Sequence, residues 1–196
     1  MSDGLTMKGD YQRIAIHEKK GEVVQAYITS INYGDQCVGL ILDALNNSRY
    51  RDNKIVILWG DHGLQFGEKL SYRKSKLWEE STRVPLMISF PGITKPGSRT
   101  KSAVNLIDIY PTLLDLCDLP LKETNEGRSI TSVLKNPNID WPFPSIATMG
   151  YGNHAIRSEN WGYIQYEDGT EELYDKRSDP LEWSNLASKE QYVDIK

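Results

Sequence analysis

Between Glu22 and Asn46 the apolar residues Val24, Ile28, Ile31, Val38, Leu42 and Leu45 return at intervals of three, four or seven, the period of a helix with one apolar stripe. The pattern predicts a helix there with that stripe buried. Asp35 falls on the same stripe beside Gly34 and reads as a capping or backbone-bonded carboxylate, with no catalytic role assigned. Polar breakers follow, Asn46-Asn47-Ser48 and Asp52-Asn53, and then the run Ile55-Val56-Ile57-Leu58-Trp59. A run apolar on both faces suits a central parallel strand. In open α/β sheets functional loops lie beyond the carboxyl ends of strands, so chemistry is sought after Trp59.

Val84 to Phe90 predicts a second strand, with Pro85 near its start, where a missing N–H does least harm. Asp108 reads as the N-cap of a short helix through Pro111, Leu113, Leu114 and Cys117. From Lys122 to Trp141 the chain is loop-rich, and a subdomain boundary is expected there. Beyond it, Ile146–Met149, Ala155–Arg157, Trp161–Tyr166 and Glu171–Tyr174 are short, aromatic-rich segments separated by Gly, Asn and Asp. They predict antiparallel strands, with Asp168-Gly169 turning the last hairpin. Asp179-Pro180 through Leu186 reads as a turn and a short helical piece.

The chain has 196 residues, 39% hydrophobic and 26% charged, with two cysteines and a formal net charge of -4. That excludes a disulfide-built fold and a zinc-finger cluster, and it argues against nucleic-acid binding through a dominant basic surface. The longest wholly apolar run, Ile55–Trp59, is far short of the about 20 residues that span a bilayer. Residues Met1 to Asp10 are polar and lack the apolar core of a secretory leader, so none is expected.

Asp61-His62-Gly63 follows the first strand directly, which puts a carboxylate and an imidazole at its carboxyl end with a glycine to turn the chain. Two metal ligands could meet there, and an ordinary cap of the next turn explains the tripeptide equally well. The pattern continues through Gly67-Glu68-Lys69, Tyr72-Arg73-Lys74, Leu77-Trp78-Glu79-Glu80, Arg83-Val84-Pro85-Leu86, Asp108-Ile109-Tyr110-Pro111, Gly127-Arg128-Ser129, Glu172-Leu173-Tyr174-Asp175, Asp179-Pro180, Trp183 and Asn185-Leu186. In this order the motifs resemble the carboxyl-terminal portion of type I sulfatases of the alkaline-phosphatase superfamily, most closely the iduronate-2-sulfatase-like group.

The resemblance implies an α/β fold: a partial sulfatase-like sheet flanked by helices over residues 1–140, then a small antiparallel sheet subdomain over 141–196. It implies that Asp61 and His62 bind a divalent cation, calcium by family habit, and that Lys74, thirteen residues after Asp61, touches the sulfate as a catalytic and substrate-binding residue. A cation and a lysine offset the charge that builds on sulfate oxygens and the leaving alkoxide. Without the resemblance Lys74 would be one more solvated basic residue beside Lys69, Arg73 and Lys76. Imidazole suits zinc or manganese better than calcium, so a phosphodiesterase or phosphonate hydrolase of the same superfamily stays open, as does a non-catalytic module that keeps the fold. His154 borders the substrate cleft by the same resemblance and is a weak substrate-binding candidate. Glu79 and Glu80 read as a solvated helix face, and His17 has no motif around it.

The nucleophile the resemblance implies, a formylglycine from a Cys-x-Pro/Ala-x-Arg signature, has no match at Cys37 or Cys117. The expectation is a chain that holds part of a site, does not hydrolyse sulfate esters alone, and either self-associates or pairs with a missing amino-terminal half. A sulfated carbohydrate is the implied substrate, and a periplasmic, extracellular or lysosomal setting the implied compartment.

Overall fold

The computed structural model describes residues 9–196; most of the polar amino-terminal stretch read for a leader, residues 1–8, lies outside them. Two helices come first, α1 (Gly9–Ile16) and α2 (Lys20–Asn46). The helix period of Glu22–Asn46 is realised, but the stripe it lines up is not buried. No residue of α2 is buried, and Ile28 and Ile31 stand 59% and 53% exposed. Periodicity encodes an apolar face without saying which surface will cover it. Asp35 is likewise exposed.

Strand β1 (Val56–Trp59) follows, then the two-residue strands β2 (Gln65–Phe66) and β3 (Tyr72–Arg73), the one-turn helix α3 (Glu79–Thr82) and β4 (Leu86–Ser89). Strand β1 pairs antiparallel with β4, Val56 opposite Ser89 and Trp59 opposite Leu86, where a central parallel strand was expected. Strand order and direction belong to tertiary pairing, which an apolar run does not encode. Its end is uncovered, with Trp59 50% exposed. Strands β2 and β3 form a separate antiparallel pair.

Helix α4 (Ile109–Leu116) begins at Asp108 as expected, although the Asp108 side chain does not cap it. The carboxylate instead accepts from the backbone N–H of Asn105 and of Arg128, both at 2.8 Å, tying the Gly127-Arg128 loop to the helix start. A short helix α5 (Thr131–Lys135) interrupts the predicted loop.

Four strands then form an antiparallel meander, β5 (Ser145–Thr148), β6 (His154–Arg157), β7 (Trp161–Gln165) and β8 (Glu171–Asp175). They match the predicted segments to within about a residue, because alternation and turn residues specify hairpins locally. In register, Ala155 faces Ile164 and Arg157 faces Gly162 on the inner side, with Glu172 and Tyr174 beyond them. This side packs on Leu77 from the earlier part of the chain, forming a core of Leu77, Ala155, Ile164 and Tyr174. The free edge of β8 is closed by the carboxyl-terminal segment: the Leu173 N–H donates to Asn185 Oδ1 at 3.0 Å and the Leu186 N–H to the Leu173 carbonyl at 2.8 Å. Such closure removes an open strand edge. The segment Asp179–Leu186 is a turn without the helical piece expected of it.

Candidate functional site

Strand β1 delivers Asp61 and His62 to solvent at its carboxyl end. The ladder runs one step past the strand, the Gly60 N–H donating to the Pro85 carbonyl at 3.0 Å. Gly63 then donates to the Ser81 carbonyl at 3.0 Å, so close to α3 that a Cβ at this position would lie 2.1 Å from the Glu80 carbonyl oxygen. Glycine is required there by close backbone approach, and that contact fixes where the preceding pair points.

Within the pair, Asp61 Oδ1 accepts from the His62 backbone N–H at 3.0 Å. His62 Nδ1 lies 2.9 Å from the Gly63 carbonyl oxygen. A carbonyl can only accept, so Nδ1 carries a proton, and in the neutral ring Nε2 keeps its lone pair. Nε2 is 3.7 Å from Asp61 Oδ2, whose side chain is 84% exposed. A carboxylate oxygen and an imidazole nitrogen at this separation can share one divalent cation, and a carbonyl behind the imidazole is the usual second support for a metal-bound histidine. They make two corners of a shell. Among the described residues no group of three or more His, Cys, Asp or Glu could hold a metal ion, whereas calcium takes about six to eight oxygen ligands.

Lys74 stands exposed on the turn between β3 and α3. Its neighbour Arg73 pairs with Asp10 of α1, Nη2 to Oδ1 at 3.1 Å, while among the described residues Lys74 forms no ion pair. His154, at the start of β6, is half-buried with Nδ1 2.9 Å from Thr148 Oγ1 on β5. It sits in the four-stranded sheet, on a different element from the Asp61-His62 pair.

The residues beside Lys74 behave differently from their sequence reading. Lys69 is 6% exposed, not a solvated cation. Its Nζ donates to the Tyr174 hydroxyl at 2.7 Å and lies 4.3 Å from the Tyr174 ring centre and 5.1 Å from that of Trp78. Burial holds its pKa below the ordinary lysine value, against the pull of Glu172, Glu182 and Asp179. Glu79 is also buried, contrary to a solvated face; Glu80 remains exposed as expected.

Glu79 belongs to an ion cluster that the motif reading missed. Arg157 Nη1 is 2.5 Å from Glu182 Oε1 and 3.1 Å from Glu79 Oε2, while Nη2 donates to the Leu77 carbonyl at 2.5 Å and Nε to Thr82 Oγ1 at 3.1 Å. Glu182 also accepts from the Glu79 N–H at 2.8 Å. Gly162 makes the room, since a Cβ there would come within 2.6 Å of Arg157 Nη1. One signal was available: alternation places Arg157 on the same face as Ala155, and an inward charge must have partners.

The sulfatase family model matches residues 6–119, and the model for the N-sulphoglucosamine sulphohydrolase C-terminal region matches residues 67–196. A sulfatase of Formosa agariphila is 42% identical over 168 residues, covering 85% of this chain and 33% of its own length. A solved structure of a protein in complex with its substrate D-glucosamine-2-N,6-O-disulfate aligns over 96% of this chain and 40% of its own, with TM-score 0.78 and 26% identity. The phosphonate monoester hydrolase of Agrobacterium radiobacter shares the fold, with TM-score 0.70 and 24% identity over 82% of this chain and 36% of its own. The chain thus spans about a third of the length of the curated relative it matches. Among the described residues no helix is long and apolar enough to cross a membrane.

Proposed function

The chain belongs to the sulfatase family, and from that membership we propose that it carries one side of the sulfate-ester site of a hydrolase acting on sulfated carbohydrate. The observation that carries this reading is the pair at the end of β1, in which the Gly63 carbonyl holds the His62 tautomer and leaves Nε2 facing Asp61 Oδ2. Asp61 and His62 hold a divalent cation, and Lys74 binds the sulfate. When bound, the cation supplies electrophilic stabilisation of charge on the sulfate oxygens. Lys74 adds an exposed ammonium that donates to those oxygens, in an interaction that strengthens as charge accumulates on them. Asp61, held by the His62 N–H, keeps one oxygen turned toward the imidazole, so the two donors arrive together. The hydrogen bond from His62 Nδ1 to the Gly63 carbonyl selects the tautomer whose Nε2 can ligate. His154 reaches the sugar only from the four-stranded sheet and ranks below the other three.

The nucleophile and the remaining metal ligands come from outside these residues, since neither Cys37 nor Cys117 stands in the required signature. The chain alone is therefore inactive, and its uncovered α2 stripe drives it to self-associate or to pair with the rest of a sulfatase domain. Titration calorimetry with calcium, zinc and a sulfated uronic-acid disaccharide tests the reading. Binding of calcium and disaccharide, reduced in Asp61→Ala and Lys74→Ala respectively, is the expected result. Zinc binding without calcium binding favours the phosphonate or phosphodiester hydrolase, for which the imidazole ligand speaks. Silence toward all three favours a non-catalytic module, and turnover of an aryl sulfate by the chain alone, abolished in Lys74→Ala, contradicts the part-site account.

A further inference from the structure

The turn that carries Lys74 is strained and fastened at both feet. Four of its non-glycine residues have left-handed backbone, Lys69 (φ 54°), Leu70 (φ 53°), Arg73 (φ 75°) and Ser75 (φ 66°). Such conformations persist only where the surroundings over-determine them. Here the determinants lie in the four-stranded sheet. At the first foot Lys69 donates to the Tyr174 hydroxyl, which donates in turn to Glu172 Oε2 at 2.6 Å. At the second foot Leu77 is buried in the core, and the Trp78 indole N–H donates to the same Glu172 oxygen at 2.8 Å. Tyr166 donates to the other oxygen of Glu172 at 3.0 Å. Both feet of the turn thus end on one carboxylate of β8, while Arg73, Lys74 and Ser75 between them are exposed.

We propose that Lys69 is a positioning residue for Lys74: through Tyr174 and Glu172 it locks the strained turn, so that the sheet determines where the Lys74 ammonium can meet a sulfate. The inference rests on the sulfate role assigned to Lys74 above. It assigns Lys69 no contact with substrate. Replacing Lys69 leaves Glu172 with the Trp78, Tyr166 and Tyr174 donors, so the sheet keeps its carboxylate satisfied while the turn loses its first foot.

The test uses the full chain labelled with carbon-13 and nitrogen-15, titrated with sodium sulfate while the Lys74 Cε signal and the amide exchange of residues 70–77 are followed by NMR. In the wild type the Lys74 signal moves saturably. In Lys69→Met the sulfate response weakens by about tenfold, because a binding group released from its position must be ordered again when the anion binds. Exchange across 70–77 accelerates by about tenfold or more while the β7–β8 amides keep their protection. Tyr174→Phe keeps the ring beneath the ammonium, loses the hydroxyl link and gives a smaller change in the same direction. A wild-type response that Lys69→Met leaves intact overturns the proposal with the Lys74 reading still standing. A wild-type Lys74 signal indifferent to sulfate overturns that reading and reduces Lys69 to a structural anchor. Loss of protection throughout β7–β8 in both variants also overturns the proposal.

Discussion

The two ends of this chain solve the problem of burial in opposite ways. The four-stranded sheet buries Ala155, Ile164, Leu173 and Tyr174 and pairs the charges it encloses, Arg157 with Glu79 and Glu182. Helix α2 and the β1–β4 pair instead leave Ile28, Ile31, Trp59 and Met87 to solvent. The comparison separates two meanings of a motif. Around Lys69, Trp78 and Glu79 the sulfatase-like residues satisfy one another within the chain and hold its shape. At Asp61 and His62 they are exposed to solvent, with few partners inside the chain.

The largest effect on stability is expected at Arg157. Arg157→Ala leaves two buried carboxylates facing each other, and removing one partner of a buried ion pair costs about 3–5 kcal/mol. Urea unfolding followed by tryptophan fluorescence should show that loss, and a change near zero would mean that the cluster does not hold the sheet to α3. Next comes Gly63→Ala, whose Cβ has no room beside the Glu80 carbonyl. Overpacking of this kind costs about 1–3 kcal/mol, and here it should also shift the His62 ring resonances.

Alkaline pH gives the third effect. Burial first, then the hydrogen bond to Glu171, pushes the Tyr163 phenol up to about 12, and burial raises Tyr166 and Tyr174 as well. Raised phenol pKa values mean that the folded state keeps protons the unfolded chain has lost. Stability is therefore fully present below about pH 10 and falls as pH rises from there through about 12. Absorbance at 295 nm should show these tyrosines ionising only as the sheet unfolds. The smallest effect on stability belongs to the other region. Ile28→Glu with Ile31→Glu should alter unfolding by no more than about 0.5 kcal/mol, as exposed sites do, while light scattering shows less self-association.

The same division decides what could be read from the sequence. Strands β5 to β8 were legible because alternation and the Asp168-Gly169 turn act locally. The helix period of α2 was legible too, but its uncovered face was not, since a stripe carries no record of its partner. The partner of β1 was illegible for the same reason: direction and order are set by distant segments. At the candidate site, the position of Asp61 and His62 at the carboxyl end of β1 was legible from the apolar run before them, while their metal role came only from the resemblance to sulfatases. Lys69 and Glu79 were misread as solvated because each lies in a charged stretch, and only the fold brings Tyr174, Glu172, Arg157 and Glu182 to them from distant parts of the chain.

The pairing proposed for Asp61 and His62, as two ligands of one divalent cation, can be tested directly. The most direct test is NMR of the histidine ring nitrogens at neutral pH during titration with calcium and with zinc. His62 Nε2 should respond to a divalent cation, His17 and His154 should not, and Asp61→Ala should remove the response. A His62 signal unmoved by either ion, or one that moves equally in Asp61→Ala, would contradict it.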